Sequence, residues 1–267
     1  GFLKDVSSFR EMATLKGLDD DRVRNGRYRI EPGWSNRHLV NHLLAGEQAT
    51  VKLVLNGARL LEDVAARASR YLEVDSLRIL SHISDPEILQ AAGYTPEEAM
   101  CVFIPNTYDF FWNTSPAGFL QRMQREKERF WERNDRLAKA KALGLSPCEV
   151  ITLASIVEKE TIVADERPRV AGLYLNRLER RMLLQADPTA VFATRDFTAR
   201  RVLDRHIQFD SPYNTYLYQG LPPGPICMPS ISSIDAVLNA EDHSYLYMCA
   251  KPDNSGRHAF AKTLAGH

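Results

Sequence analysis

The sequence predicts an α+β fold that is mainly helical, with a small α/β portion first and a β-hairpin last. Three features carry that reading. Apolar residues recur at helical spacing through most of the chain, two short stretches alternate at strand spacing, and the last third becomes a Pro-, Gly- and Tyr-rich loop followed by a strand pair. With 267 residues, 44% of them hydrophobic, the chain can bury the core of one large domain or two smaller ones.

Residues 6 to 16 read as a short helix: Phe9, Met12 and Leu15 share a face and Gly17 is placed to end it. "GRYRIEPG" puts Tyr28 and Ile30 on one side of a strand that turns at Pro32-Gly33. Ser35 caps a helix whose core face is Leu39, Val40, Leu43 and Leu44 and which stops at Gly46. "TVKLVL" alternates Val51, Leu53 and Leu55 as a strand, and Asn56-Gly57 marks a turn. Leu61, Val64, Ala65, Ala68 and Leu72 form the next helical stripe. Thr95-Pro96-Glu97-Glu98 and Ser146-Pro147-Cys148-Glu149 are capping boxes, each opening a helix. Ser115-Pro116 opens a long helix to about Leu143, with Phe119, Leu120, Met123, Phe130 and Leu137 inside and the charge-dense "REKERFWERNDR" as a solvated face; Gly144 ends it. After the loop "SPYNTYLYQGLPPGPICMPS", "SYLYMCA" reads as a strand and "PDNSGRHAFA" as a turn into its partner.

Lys plus Arg and Asp plus Glu balance at 34 each, so bulk electrostatics does not favour non-specific binding to nucleic acid. No apolar run reaches the roughly 18 residues a membrane helix needs. Cys101, Cys148, Cys227 and Cys249 form no C-x-x-C motif; they read as buried reduced thiols, with one disulfide open to them in an oxidising compartment and no pair selected by spacing.

The stretch "LASIVEKET" holds the residue of most chemical interest. Leu153, Ile156, Val157 and Glu160 fall on one helical face, whereas Glu158 lies about 200 degrees from Glu160 and is expected in solvent. A carboxyl on an apolar stripe is desolvated, its pKa rises, and it can serve as a general acid near neutral pH. The competing reading is a wet helix end.

From about Cys101 onward, "ITLASIVEKET", "ERPRVAGLYLNRL", "LLQADPTAVFA", "SPYNTYLYQGLPPGPI", "PSISSIDAVLNA", "YLYM" and "GRHAF" resemble, in order, the endolytic murein transglycosylase (YceG-like) family. "GRYRIEPGWSNRHLVNHLLAG" resembles its LysM-like part more loosely. The resemblance implies an N-terminal region over 1–100 with a LysM-like subdomain at about 25–75, then a lysozyme-like catalytic domain over 101–267. It also implies a lytic transglycosylase, with no metal or other cofactor, that cleaves peptidoglycan strands between N-acetylmuramic acid and N-acetylglucosamine, leaves 1,6-anhydro ends and terminates strand elongation. Glu160 matches the family's catalytic glutamate. One carboxyl suffices for such chemistry: it protonates the leaving oxygen, then takes the proton of the muramyl C6 hydroxyl as that oxygen closes onto C1.

Further positions match family blocks. Thr161 is expected to bond substrate or to cap the helix end, Gln185 to touch an N-acetyl group, and Asp187 to face substrate or cap the next helix. Tyr213, Asn214 and Tyr216 are expected to line the cleft or buttress the loop, and His258 and Phe260 to stand near the cleft or in its scaffold. Glu166-Arg167 reads as an ion pair. The "HAFAKTLAGH" segment departs from the family in carrying Ala259 and Ala261 where polar residues are common.

Two rivals remain. His38 and His42 have zinc-ligand spacing, but Leu39 stands where H-E-x-x-H needs its glutamate, so they read as flanking a wet face. A non-catalytic glycan-binding scaffold of the same fold is the other. The resemblance further implies a single N-terminal membrane helix upstream of Gly1, a catalytic part outside the cytoplasm at the inner membrane, and peptidoglycan synthases as partners.

Overall fold

The computed structural model describes residues 3–253 and 255–266. Gly1, Phe2, Asn254 and His267 lie outside the described residues, and with them one position of the expected C-terminal turn. The architecture is α+β.

Helices α1 (Val6–Lys16) and α2 (Asn36–Ala45) come first. Both stop at the expected glycines, Gly17 and Gly46, whose φ angles of 68° and 66° disfavour any residue with a Cβ. Ser35 caps α2 by accepting the His38 N–H at 3.2 Å. The strand expected around Tyr28 does not form. Ile30 is 48% exposed, so the alternation there buries little, and Ala49 N–H to the Arg27 carbonyl is the segment's main-chain tie to the following strand.

Strand β1 (Thr50–Leu55) finds its partner far along the chain, in β2 (Asn106–Phe111), antiparallel from Thr50↔Phe111 to Leu55↔Asn106. Val51, Leu53, Leu55, Tyr108 and Phe110 turn inward onto α3 (Leu61–Ser69) and α4 (Ser76–Ile83), with the short α5 (Pro86–Ala91) following. This core is closed by Phe119, Leu120 and Met123. The capping box at Thr95 and Glu98 forms, at 3.0 and 3.3 Å, but it opens a turn and a 3-10 segment at Ala99–Val102 instead of an α-helix. The reason lies in the run that follows: Met100, Val102 and Phe103 enter this core while Cys101 and Ile104 enter a second one. Successive residues pulled to opposite sides cannot share a helical stripe.

The long charged helix breaks in two, α6 (Pro116–Glu132) and α7 (Arg136–Ala142). Asn134 and Asp135 take left-handed φ angles of 59° and 56°, a conformation these types tolerate better than most. The break lets Arg136, 6% exposed, cover Phe130 at 3.9 Å and grip Asp235 with two bonds of 2.9 and 3.1 Å. Leu137, expected inside, is 48% exposed, and Lys127, expected in solvent, is buried against Tyr94.

The second core surrounds α8 (Pro147–Glu160), whose residues Val150 to Val157 are all buried. Its capping box at Ser146 and Glu149 forms as expected. Cys101 and Cys148 form a disulfide that ties the start of α8 to the seam between the cores; Cys227 and Cys249 are free. Around α8 pack α9 (Arg167–Glu179), α10 (Asp187–Thr194) and α12 (Ile231–Leu238), with the short α11 (Asp204–Ile207) beside α10. The terminal hairpin pairs β3 (Tyr247–Ala250) with β4 (His258–Ala261). No described helix is long and apolar enough to cross a membrane.

Candidate active site

Glu160 is the last residue of α8, where the buried stripe meets a cleft. Two lobes of the cleft share Glu160 and Asp187. One, of about 300 Å³, is walled by Arg59, Lys159, Phe197, Arg200 and Arg201; the other, of about 490 Å³, by Tyr174, Arg177, Gln185, Tyr216, Tyr247 and His258. The Glu160 side chain touches the cleft, but its carboxyl is packed among protein atoms. Burial pushes its pKa up to about 7, against a lowering by the Tyr174 hydroxyl and by Arg177, while Asp187 adds to the rise. Tyr174 donates to Oε1 at 2.6 Å. Oε2 makes no hydrogen bond among the described residues and is the carboxyl oxygen left open to a proton or a substrate group.

Tyr174 and Arg177 were not singled out from the sequence, though a signal was there. Val170, Leu173, Tyr174 and Arg177 repeat on α9 the spacing that picked out Glu160, with polar groups continuing an apolar stripe. Arg177, 8% exposed, spends its donors on the carbonyls of Leu183, Leu184 and Leu246 and on Gln185, which fixes the loop before α10 and the hairpin around Glu160.

The expected substrate residues divide. Gln185, Asp187, Tyr216 and His258 line the lobe beside Glu160. Gln185 holds a left-handed φ of 51°, and its N–H donates to the Thr215 carbonyl. Asp187 does not cap α10; Ala186 holds that position, and the Asp187 carboxylate instead accepts from the Tyr216 hydroxyl at 2.5 Å. His258 pairs with the buried Glu166, Nδ1 to carboxylate at 3.1 Å. Glu166 and Arg167 therefore make no pair with each other; Arg167 turns to Glu158 and Ser230.

Thr161, Tyr213 and Asn214 take other places. Thr161 is 2% exposed and caps α8, its N–H donating to the Val157 carbonyl at 3.3 Å, while its hydroxyl accepts the Val163 N–H at 3.0 Å. Asn214 is fully buried and donates to the carbonyls of His206, Ile207 and Phe209, which makes it the buttress of its loop. Tyr213 packs on Phe192 at 4.8 Å and faces a separate hollow with Arg59 and Pro96; burial, with Glu97 nearby, pushes its pKa up to about 12.

Glu158 corrects the sequence reading. It is not in solvent: its side chain is 24% exposed and its carboxylate accepts from Ser230 Oγ at 2.6 Å and Ser233 Oγ at 2.5 Å, with Arg167 at 3.5 Å. Burial alone would raise its pKa, but the two hydroxyls, Arg167 and the Ser230 N–H outweigh burial and hold it below the usual range. Ser230 caps α12, so Glu158 sits at a helix N-terminus, where negative charge is favoured. Three residues back, and about 60 degrees around the helix, Ser155 accepts the Ile226 N–H at 3.0 Å on this same side.

His38 and His42 pack against Trp34, at 4.2 and 4.8 Å between ring centroids, and His42 also meets Glu47. No group of three or more potential metal ligands is found among the described residues.

The model of the YceG-like family matches residues 1–267. An endolytic murein transglycosylase of Bacillus subtilis is 40% identical over 119 residues, 45% of this chain and 32% of that protein. One from Streptococcus pneumoniae serotype 2 is 35% identical over 114 residues, 41% of this chain and 21% of that protein. The matched stretch thus spans a third or less of either relative. A crystal structure of a YceG-like protein from Listeria monocytogenes superposes with a TM-score of 0.69 at 27% identity, over 99% of this chain and 90% of that one.

Proposed function

Because this chain belongs to the YceG-like family, we propose that it cleaves peptidoglycan glycan strands internally as a lytic transglycosylase. The observation that carries the reading is one buried carboxyl, its pKa pushed up to about 7, where two lobes of a cleft meet. A strand laid through both lobes presents an internal bond to Glu160. The acid protonates the leaving glycosidic oxygen; the resulting carboxylate accepts the muramyl C6 hydroxyl proton while that oxygen attacks C1. The product end is a 1,6-anhydro sugar, and no water is consumed. Tyr174 positions the acid and steadies its ionised form between the two proton transfers. The names of the bacterial relatives point the same way.

One observation favours a second reading. Asp187 lines both lobes with Glu160, and two carboxyls flanking a bond are the equipment of a hydrolase. The Tyr216 hydroxyl already occupies one Asp187 oxygen, which supports the one-carboxyl route. A non-catalytic scaffold has no use for a buried carboxyl whose pKa is pushed up toward neutrality. Mass spectrometry of products from uncrosslinked glycan tests all three. Anhydromuramic ends are expected; reducing muramic ends would make this a hydrolase, and intact strands a binder.

Within the same proposal, β1, α3, α4 and β2 form the LysM-like unit, which moves its bounds from about 25–75 to 50–111, and the helices around α8 form the lysozyme-like catalytic part. The disulfide suits an oxidising compartment and so supports action outside the cytoplasm; anchoring at the inner membrane by a preceding helix belongs to the proposal on family grounds alone. Association with peptidoglycan synthases belongs to the proposal on family grounds alone.

A further inference from the structure

The two lobes of the cleft differ in charge. In the lobe by Tyr174 the cation is Arg177, already engaged with backbone carbonyls. The other lobe carries Arg59, Lys159, Arg200 and Arg201. None of these four forms an ion pair among the described residues. The chain as a whole balances 34 cations with 34 anions, so four cations against two carboxyls around about 300 Å³ depart from its average. The nearby acid Asp196 is taken by Arg205 and His206. The carboxyls of the lobe, Glu160 and Asp187, are the two it shares with the other lobe. Arg59 is held in place, its guanidinium 4.4 Å from the centre of the Phe197 ring, which in turn packs on Phe192 at 6.2 Å.

Such a wall suits an anion, and sugar rings are neutral. On a peptidoglycan strand, negative charge comes from carboxylates of the peptide stems on muramyl residues or from a phosphate at a strand end. Resting on the strand-cleaving reading above, we propose that Arg59, Lys159, Arg200 and Arg201 form a subsite for an anionic substituent of the strand, carboxylate or phosphate, on one side of the bond at Glu160. The subsite fixes strand direction across the acid: with charge recognition in one lobe only, a reversed strand loses it.

The test compares three soluble, uncrosslinked glycan preparations: with intact stems, with stems removed by an amidase and the lactyl carboxylates so exposed capped as methylamides, and the same capped strand with a terminal pyrophosphate. Wild type should favour at least one charged preparation over the uncharged one by about tenfold in kcat/KM, as several partly screened charge contacts allow. The preference should fall as salt rises. In the double variant Arg200→Gln/Arg201→Gln the ratio should collapse toward one, and Arg200→Lys/Arg201→Lys should keep most of it. Which preparation is favoured tells carboxylate from phosphate. A wild-type ratio near one, or a ratio unchanged in the Gln variant, overturns the proposal. Affinity for the same preparations, measured in the Glu160→Gln background, separates it from the catalytic reading. Charge-selective binding without cleavage by wild type sinks catalysis and keeps the subsite; cleavage with charge-blind binding does the reverse.

Discussion

The two sides of α8 each hold a partly buried glutamate, two residues apart, and desolvation is the largest influence on both. Their outcomes are opposite. Glu158 faces the segment that runs into α12 and is met by two hydroxyls, a backbone N–H and Arg167, enough to keep it ionised. Glu160 faces the cleft and is met by a single hydroxyl, so burial wins and its pKa climbs to about 7. Burial alone therefore does not make an acid. The count of donors aimed at the carboxylate decides whether a buried glutamate becomes an anchor or a proton donor.

The largest expected effect breaks the comparison on its catalytic side. Glu160→Gln keeps size and polarity but removes the proton, and cleavage should fall by about a thousandfold to ten-thousandfold, since the proposed reaction uses this one group for both transfers. Release of anhydromuropeptides from purified sacculi measures this. Comparable activity in the variant would remove Glu160 from the mechanism.

The next effect falls on the other side. Glu158→Gln should leave most activity but destabilise the fold by about 1–3 kcal/mol, because charge-assisted bonds from Ser230 and Ser233 and the pairing of Arg167 are weakened together. Its stabilising share is present above the ordinary carboxylate range and is lost as pH falls through its depressed folded pKa. The deficit in urea melts should thus shrink on acidification. A deficit that grows in acid would mean that Glu158 is not held ionised.

The sign reverses for Glu160. Its folded pKa stands above its unfolded one, so the wild type loses stability as pH rises from the ordinary carboxylate range through about 7. Between roughly pH 5 and 8, Glu160→Gln should gain on wild type by about 1–2 kcal/mol, discounted because the site borders solvent. Parallel melting curves at both pH values would contradict this. The smallest effect sharpens the role of Tyr174. Tyr174→Phe removes the donor that favours the ionised form, so the alkaline limb of kcat/KM should move up, by about one pH unit or less. A downward move would mean that the hydroxyl does not act on the carboxylate.

Helix stops and caps, and the buried stripe of α8, were legible in the sequence because they are local: Gly17, Gly46 and Gly144, the caps at Ser35 and Ser146, and the stripe ending at Glu160 all depend on neighbours within a turn or two. What depended on distant partners was not legible. Residues 27–31 and 50–55 both alternate, and the sequence does not say that β1 finds its partner at 106–111. The break at Asn134-Asp135 answers to Asp235, about a hundred residues away. Glu158 points away from the apolar stripe as read, but the protein supplies a second wall there, at Ser230 and Ser233. Asn214 and Thr161 matched family blocks yet serve the scaffold, since a motif marks a residue as needed without saying whether substrate or backbone needs it.

The most direct measurement is a carboxyl titration by carbon NMR of glutamate-labelled protein, with Glu158→Gln and Glu160→Gln used to assign the two signals. The account predicts that the Glu160 carboxyl titrates near pH 7 and the Glu158 carboxyl below the usual glutamate range. A Glu160 midpoint at or below the ordinary value, or a Glu158 signal titrating near neutrality, would contradict the division of labour between the two sides of α8.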